Sequence, residues 1–284
     1  MFLTLKEAIA QHIEDGQILA LEGFTHLIPF AAGHEIIRQG RKHLHLVRMT
    51  PDLIYDQMIG SGCARALTFS WGGNPGVGSL HRLRDAVEKD WPLPLEIHEH
   101  SHAGMAVAYT AGASHLPFGM LRGYLGTDLA AVNSQIQTVT CPYTGERLAT
   151  VPALHPDVTI LHAQKADRRG NVLLQGIVGA GKEAAMAARK LLVTVEEVVD
   201  DLGAAPNAVI LPHWVVTALA HVPWGAYPSY AQGCYERDNA FYLAWDVIAR
   251  DRATFKEWME THVLGTRDHE AFLRSLARAA AGVP

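Results

Sequence analysis

Leu21-Glu22-Gly23-Phe24-Thr25-His26 lies between an apolar run, Ile18 to Leu21, and a second run that begins near Pro29. Glycine carries no Cβ, so the backbone at Gly23 can approach a ligand closely. Adjacent amides just ahead of a helix can point at an anion, or at an oxyanion that develops during a reaction. An ordinary tight turn would use the same residues, and both readings stay open on the sequence alone. Trp71-Gly72-Gly73-Asn74-Pro75-Gly76 occupies the same place after another apolar run. Residues this small leave space rather than fill it, which suits a pocket wall at Gly72, Gly73 and Asn74 and suits a surface loop equally.

His98, His100 and His102 alternate with Glu96, Glu99 and Ser101 across this stretch. On a strand the three imidazoles would share one face, as metal ligands do. Ser101, however, can cap a helix running through Met105, Val107 and Ala108, and no fourth ligand is defined, so no metal is assigned. A strand end that faces a ligand with one or two side chains fits better than a metal site, and solvated or structural histidines stay equally open. Gly176-Ile-Val-Gly-Ala-Gly181-Lys182-Glu183 falls one residue short of a phosphate-binding loop, because Glu183 stands where a hydroxyl must hold Mg²⁺. It reads as a Gly-rich turn before a helix. Glu196 and Glu197 follow the buried-strand pattern Leu191 to Val195. Paired carboxylates can do acid–base work, yet such charges past a strand more often serve structure. Ser101, Thr140 and Cys141 are conceivable nucleophiles, but none stands in a Gly-x-Ser-x-Gly elbow and nothing ties a base to any of them.

The elements that must position these residues alternate. Thr4 and Glu7 form a capping box ahead of the helical stripe Leu5, Ala8, Ile9 and Ile13, with Gly16 as the expected stop. A strand at Ile18 to Leu21 leads to a helix from about Pro29 to Gln39, ended by Gly40. Strands follow at Leu44 to Met49 and Ala66 to Ser70, with a helix begun by Thr50-Pro51 between them. Such alternation predicts a mostly parallel sheet covered by helices, with strand-to-helix loops along one edge, where these folds bind ligands. Gln135 to Thr140 and Arg147 to Val151 flank a turn and predict a β-hairpin, an antiparallel excursion from that pattern. Strands are expected again at Val158 to His162 and Val209 to Leu211, and helices at Asn239–Arg250 and Ala253–Val263.

Composition excludes several classes. The 284 residues carry a formal charge of −5 and no Lys/Arg run, so neither nucleic acid nor a membrane surface is an expected partner. A 49% hydrophobic content supports a sizeable core, and no apolar run is long enough to span a bilayer. Cys63, Cys141 and Cys234 are far apart, which fits a reduced, cytoplasmic setting. Lys6, Glu7, Glu14 and Asp15 interrupt any signal-peptide core. No linker or repeat divides the chain, so residues 1–284 are expected to form one domain.

Residues Lys165 to Val199, a turn, strand, Gly-rich loop, small-residue helix and buried strand ending in Glu196-Glu197, resemble the signature stretch of the first, or α, subunits of the class I coenzyme A transferases. Thr4-Leu-Lys-Glu-Ala-Ile-Ala, Ala20-Leu-Glu-Gly-Phe-Thr and Glu35-Ile-Ile-Arg-Gln-Gly resemble the start of the glutaconate CoA-transferase α subunit. Leu116-Pro-Phe, Gly126-Thr-Asp-Leu, Gly225-Ala-Tyr-Pro-Ser and Asp238-Asn-Ala-Phe-Tyr extend the likeness from Thr4 to about Leu276. The resemblance implies an α/β, CoA-transferase-type (NagB/RpiA-like) sheet with C-terminal helices. It also implies a ping-pong transfer of CoA through a glutamyl-CoA thioester. In two-chain members the nucleophilic glutamate belongs to the second, or β, subunit. No stretch here matches its motif, so no catalytic residue is assigned on this chain. The resemblance implies Gly23, Phe24 and Thr25 as the turn facing the active site, and Glu99, Ser101 and His102 as pocket residues. It implies coenzyme A as co-substrate with no permanently bound cofactor, and a partner, the β subunit, in an α2β2 assembly. The family often has Gly-Gly-Phe where this chain has Glu22-Gly23-Phe24, which sets a charge beside the turn or one pointing away. Two alternatives remain on the same scaffold: a CoA-thioester or ring-opening hydrolase, and a non-catalytic acyl-CoA-binding or regulatory subunit.

Overall fold

The computed structural model describes residues 2–203 and 205–280. Helix α1 (Leu5–His12) opens on the capping box, with the Glu7 amide donating to the Thr4 hydroxyl and the Thr4 amide to the Glu7 carboxylate. It stops earlier than expected. Ile13 is already extended, and Gly16, at φ +84°, instead shapes the turn into β1 (Ile18–Leu21). From there strand and helix alternate: α2 (Phe30–Arg38), β2 (Leu44–Val47), α3 (Leu53–Gly60), β3 (Ala64–Phe69), α4 (His81–Lys89), β4 (Glu96–Glu99) and α5 (His102–Ala113). The expected strand through Met49 ends at Val47, because the Met49 amide goes to the Glu22 carboxylate instead of a neighbouring strand.

The chain then leaves the sheet. Strands β5 (Phe118–Leu121), β6 (Gln137–Thr140) and β7 (Arg147–Pro152), with α6 (Asp128–Val132) between the first two, make a separate antiparallel sheet of order β5-β7-β6. Ala149 and Val151 of β7 pack it against α5 through Ala108 and Val107. The chain returns as β8 (Val158–Asp167), β9 (Val172–Leu174), α7 (Gly181–Ala187), β10 (Lys190–Val199), β11 (Val209–Leu211) and β12 (Ala218–His221). It closes with α8 (Asn239–Arg250), α9 (Arg252–Trp258), a π-helical turn Met259–Leu264 and α10 (His269–Ala280). One long helix was expected over Ala253–Val263; it divides at Met259.

Six parallel pairings give the central order β12-β10-β8-β1-β2-β3-β4. The far end of β8 also pairs antiparallel with β9, and β9 with β11. Strands covered on both faces are buried along their length, and β8 is buried at nine of its ten positions. The order explains where a site must form. From β1 the chain moves outward through β2, β3 and β4, while β8 and β10 lie on the other side of β1. That reversal makes a switch point, and a crevice opens beyond the carboxyl ends of the strands there. The main core lies between the sheet and α1, α2, α3 and α8, around Ile9, Leu46, Ile54 and Trp245.

Candidate active site

The loops after β1, β2, β3 and β4 meet in one cleft of about 360 Å³. Phe24 and Thr25 come from the first loop, Arg48, Thr50 and Asp52 from the second, Trp71, Pro75 and Gly76 from the third, and His102 from the start of α5. Four successive parallel strands deliver their chains to the same side of the sheet, so sequence neighbours become wall neighbours.

The turn after β1 is held under tension. A Cβ at Gly23 would stand 2.7 Å from the His26 carbonyl oxygen and 2.9 Å from that of Leu27, closer than side chains come to backbone. Thr25 (φ +59°) and Leu27 (φ +53°) are left-handed, an uncommon geometry for non-glycine residues and a costly one for a β-branched threonine. Contacts from the far end of the chain over-determine it. The Ser229 hydroxyl donates to the Thr25 carbonyl at 3.1 Å, the Leu27 amide to the Tyr230 carbonyl at 3.0 Å, and the Gln232 amide to His26 Nε2 at 2.9 Å. Among the described residues the amides of Phe24 and Thr25 donate to no protein acceptor.

Beneath the cleft floor lies a buried charge cluster. Arg48 donates to the Gly23 carbonyl at 2.8 Å and to Asp52 Oδ1 at 2.9 Å. Burial works against the Arg48 charge, but Asp52, Tyr55 and Glu22 hold its pKa above the usual value. Burial pushes the Asp52 carboxyl up, against the pull of Arg48. Glu22 points inward. It is 2% exposed and accepts from the Met49 amide at 3.1 Å and the Tyr109 hydroxyl at 2.7 Å. Burial raises its pKa, with Arg48 and Tyr109 opposing.

The expected pocket residues divide. Phe24, Thr25 and His102 line the cleft, and the His102 ring stands edge-on to Phe24 with centroids 6.5 Å apart. Gly23 lies directly behind them. The loop after β3 contributes its ends rather than its middle. A Cβ on Gly72 would face Leu83 and Phe69, and one on Gly73 would strike the Trp71 ring. Asn74 is buried, with its side-chain amide donating to the Tyr242 carbonyl at 2.8 Å. Ser101 caps α5 through the Gly104 amide at 3.0 Å. The exposed Glu99 ends β4, and its carbonyl takes the Asn133 side-chain amide at 2.7 Å.

The remaining candidates lie elsewhere. His98 packs on His45, His100 bonds to Gln135 and Tyr124, and His102 turns to Phe24, so helix capping has ended the alternation. Among the described residues no three of His, Cys, Asp and Glu gather as a metal site. Gly179 packs its backbone against Phe24, and α7 follows as an ordinary short helix. Glu196 receives His162 Nε2 at 2.6 Å, the Tyr235 hydroxyl at 2.6 Å and the Trp224 amide at 2.7 Å, whereas exposed Glu197 pairs with Lys165. Thr140 and Cys141 lie in the β6–β7 hairpin, apart from the cleft.

Sequence reasoning missed Arg48, Thr50 and Asp52. A signal was present: Arg48-Met-Thr-Pro-Asp52 sets opposite charges four residues apart immediately after a buried strand, where an unpaired charge is costly.

Known proteins resemble this chain over most of its length. The family model described as "Coenzyme A transferase" matches residues 2–221. The chain is 64% identical over 275 residues to the first (α) subunit of the 3-oxoadipate CoA-transferase of Pseudomonas knackmussii, covering 97% of this chain and 98% of the relative. The crystal structure of glutaconate coenzyme A-transferase from Acidaminococcus fermentans superposes with a TM-score of 0.91 at 28% identity, covering 98% of this chain and 93% of that one. The decarboxylase AibA/AibB gives a TM-score of 0.80 at 30% identity over 92% of this chain and 98% of that one.

Proposed function

The chain belongs to the coenzyme A transferase family, and from that premise we propose that it is the α subunit of a heteromeric enzyme that moves CoA onto a short dicarboxylic or oxo acid, 3-oxoadipate first. The observation that carries this reading is the 64% identity, end to end, with a subunit named for that acid. The cleft supports the division of labour between two chains. Its one carboxylate among the described residues, Asp52, is 1% exposed and paired with Arg48, and Glu22 lies sealed below, so neither is placed to attack a thioester.

In the proposed cycle a glutamate supplied by the β subunit attacks the thioester carbonyl, giving an acyl-glutamyl anhydride and CoA thiolate. The thiolate returns to the glutamyl carbonyl, forming glutamyl-CoA and releasing the first acid. The second acid's carboxylate attacks that thioester, and CoA thiolate finally attacks the new acyl carbonyl, restoring the glutamate. Each step divides a difficult transfer into easier ones. This chain supplies the acyl pocket from Phe24, Thr25 and His102, and the amides of Phe24 and Thr25 face the developing oxyanions. Gly23, Gly72, Gly73 and Asn74 hold those walls from behind, and Glu99 and Ser101 form the junction of β4 and α5 beside them. Residues 1–284 act as one cytoplasmic domain in an α2β2 assembly, with coenzyme A as a passing co-substrate and no resident cofactor.

The test is a CoA-transfer assay with 3-oxoadipate as acceptor, on the chain alone and co-expressed with the product of the neighbouring gene. Transfer that needs both chains is expected. Rapid transfer by the solitary chain overturns the division of labour, and release of free CoA without any acid marks a hydrolase instead.

A further inference from the structure

Two of the four loops around the cleft, and the helix that follows the fourth, converge on a single carboxylate. Glu22 ends the β1 segment, and its Oε1 accepts from the Met49 amide beyond β2 and from Tyr109 in α5. Tyr109 is fully buried and stands seven residues, about two turns, after His102, which places both on one face of α5. Phe24 stands two residues after Glu22 and meets His102. Glu22 with Tyr109, and Phe24 with His102, are thus successive contacts along one seam between the β1 turn and α5. The inner contact is sealed; the outer one is the wall of the cleft. A hydrogen bond to a buried carboxylate is short and stiff, so it fixes the spacing of the elements it joins. The turn has little freedom to compensate, since Arg48 grips the Gly23 carbonyl and no side chain fits at Gly23.

We propose that Glu22, acting through Tyr109, is a positioning residue that sets the separation of Phe24 from His102 and thereby the length of acid the cleft admits. The inference rests on the reading of this cleft as the acyl pocket. A well-fitted apolar wall discriminates one methylene by about 10–200-fold, and a wall free to shift loses part of that ratio.

The experiment uses the two-chain enzyme and a homologous series of dicarboxylic and 3-oxo dicarboxylic acids differing by one methylene. Glu22→Gln, Tyr109→Phe and the double variant are compared with wild type in kcat and KM for each acid. The expected result is a fall of about tenfold in the ratio of kcat/KM between the best acid and its longer homologue, the equilibrium weight of one charged hydrogen bond. The loss resides in KM, and the double variant loses no more than either single one, since the two residues act as a unit. Folded variants with the wild-type chain-length profile, or losses that simply add, overturn the inference. So does a Tyr109→Phe variant that does not fold, because the bond would then serve stability alone. A wild-type enzyme that transfers CoA to no acid of the series overturns the functional reading and this inference with it.

Discussion

Gly23 cannot carry a side chain, because the His26 and Leu27 carbonyls already fill the space a Cβ needs. If the neighbouring amides stabilise an oxyanion, Gly23→Val misaligns them and raises the barrier by about 2.7–4 kcal/mol, the cost of one lost donor. The check is kcat of the two-chain enzyme after circular dichroism has confirmed folding; full rate in a folded variant removes the turn from the mechanism. The glycine was legible from its place between two apolar runs. The inward turn of Glu22 was not, since its partners Met49 and Tyr109 stand 27 and 87 residues away.

Helix α5 joins the cleft to the core, and its first turn depends on Ser101 accepting from the Gly104 amide. Ser101→Ala should cost about 1 kcal/mol of stability, the usual worth of an N-cap, and leave KM for the acid unchanged. Calorimetry and steady-state kinetics on the same sample decide this; a KM shift would move the hydroxyl into the pocket. Helices α4 and α9 are tied by Asp85, which receives Arg252 at 2.7 Å and Lys89 at 3.0 Å beside Arg82. Burial raises the Asp85 pKa, but Arg252, Lys89 and Arg82 outweigh it and bring the carboxyl from an ordinary 3.8 down to about 2. A lowered folded pKa means stability present above 3.8 and lost as pH falls through about 2. Tm measured downward from pH 5 should therefore fall more steeply in wild type than in Asp85→Asn. Equal slopes would show that the tie does not contribute. The capping box of α1 and the start of α8 were readable because caps are local, whereas the break at Met259 was not announced by any glycine or proline.

At the scale of the whole molecule, a sheet with four loops at one edge offers walls and donors but, among the described residues, no exposed carboxylate in the cleft. Mixing the chain with its β partner should therefore raise transfer from background to full activity, titrating to a fixed ratio of chains in size-exclusion chromatography with in-line assay. Saturation of activity without any stable complex would contradict a shared site. Alternation of apolar runs, turns and caps pointed by itself to a mostly parallel sheet with Gly23 and Gly72 in loops at its carboxyl edge, because hydrophobic period and chain connectivity are properties of neighbours in sequence. Only the tertiary structure decided that Phe24 and His102 face the opening while Asn74 and Ser101 turn to support. The direction of a side chain depends on what packs against it, and here that is set by residues such as Ser229, 204 positions from the Thr25 carbonyl it holds.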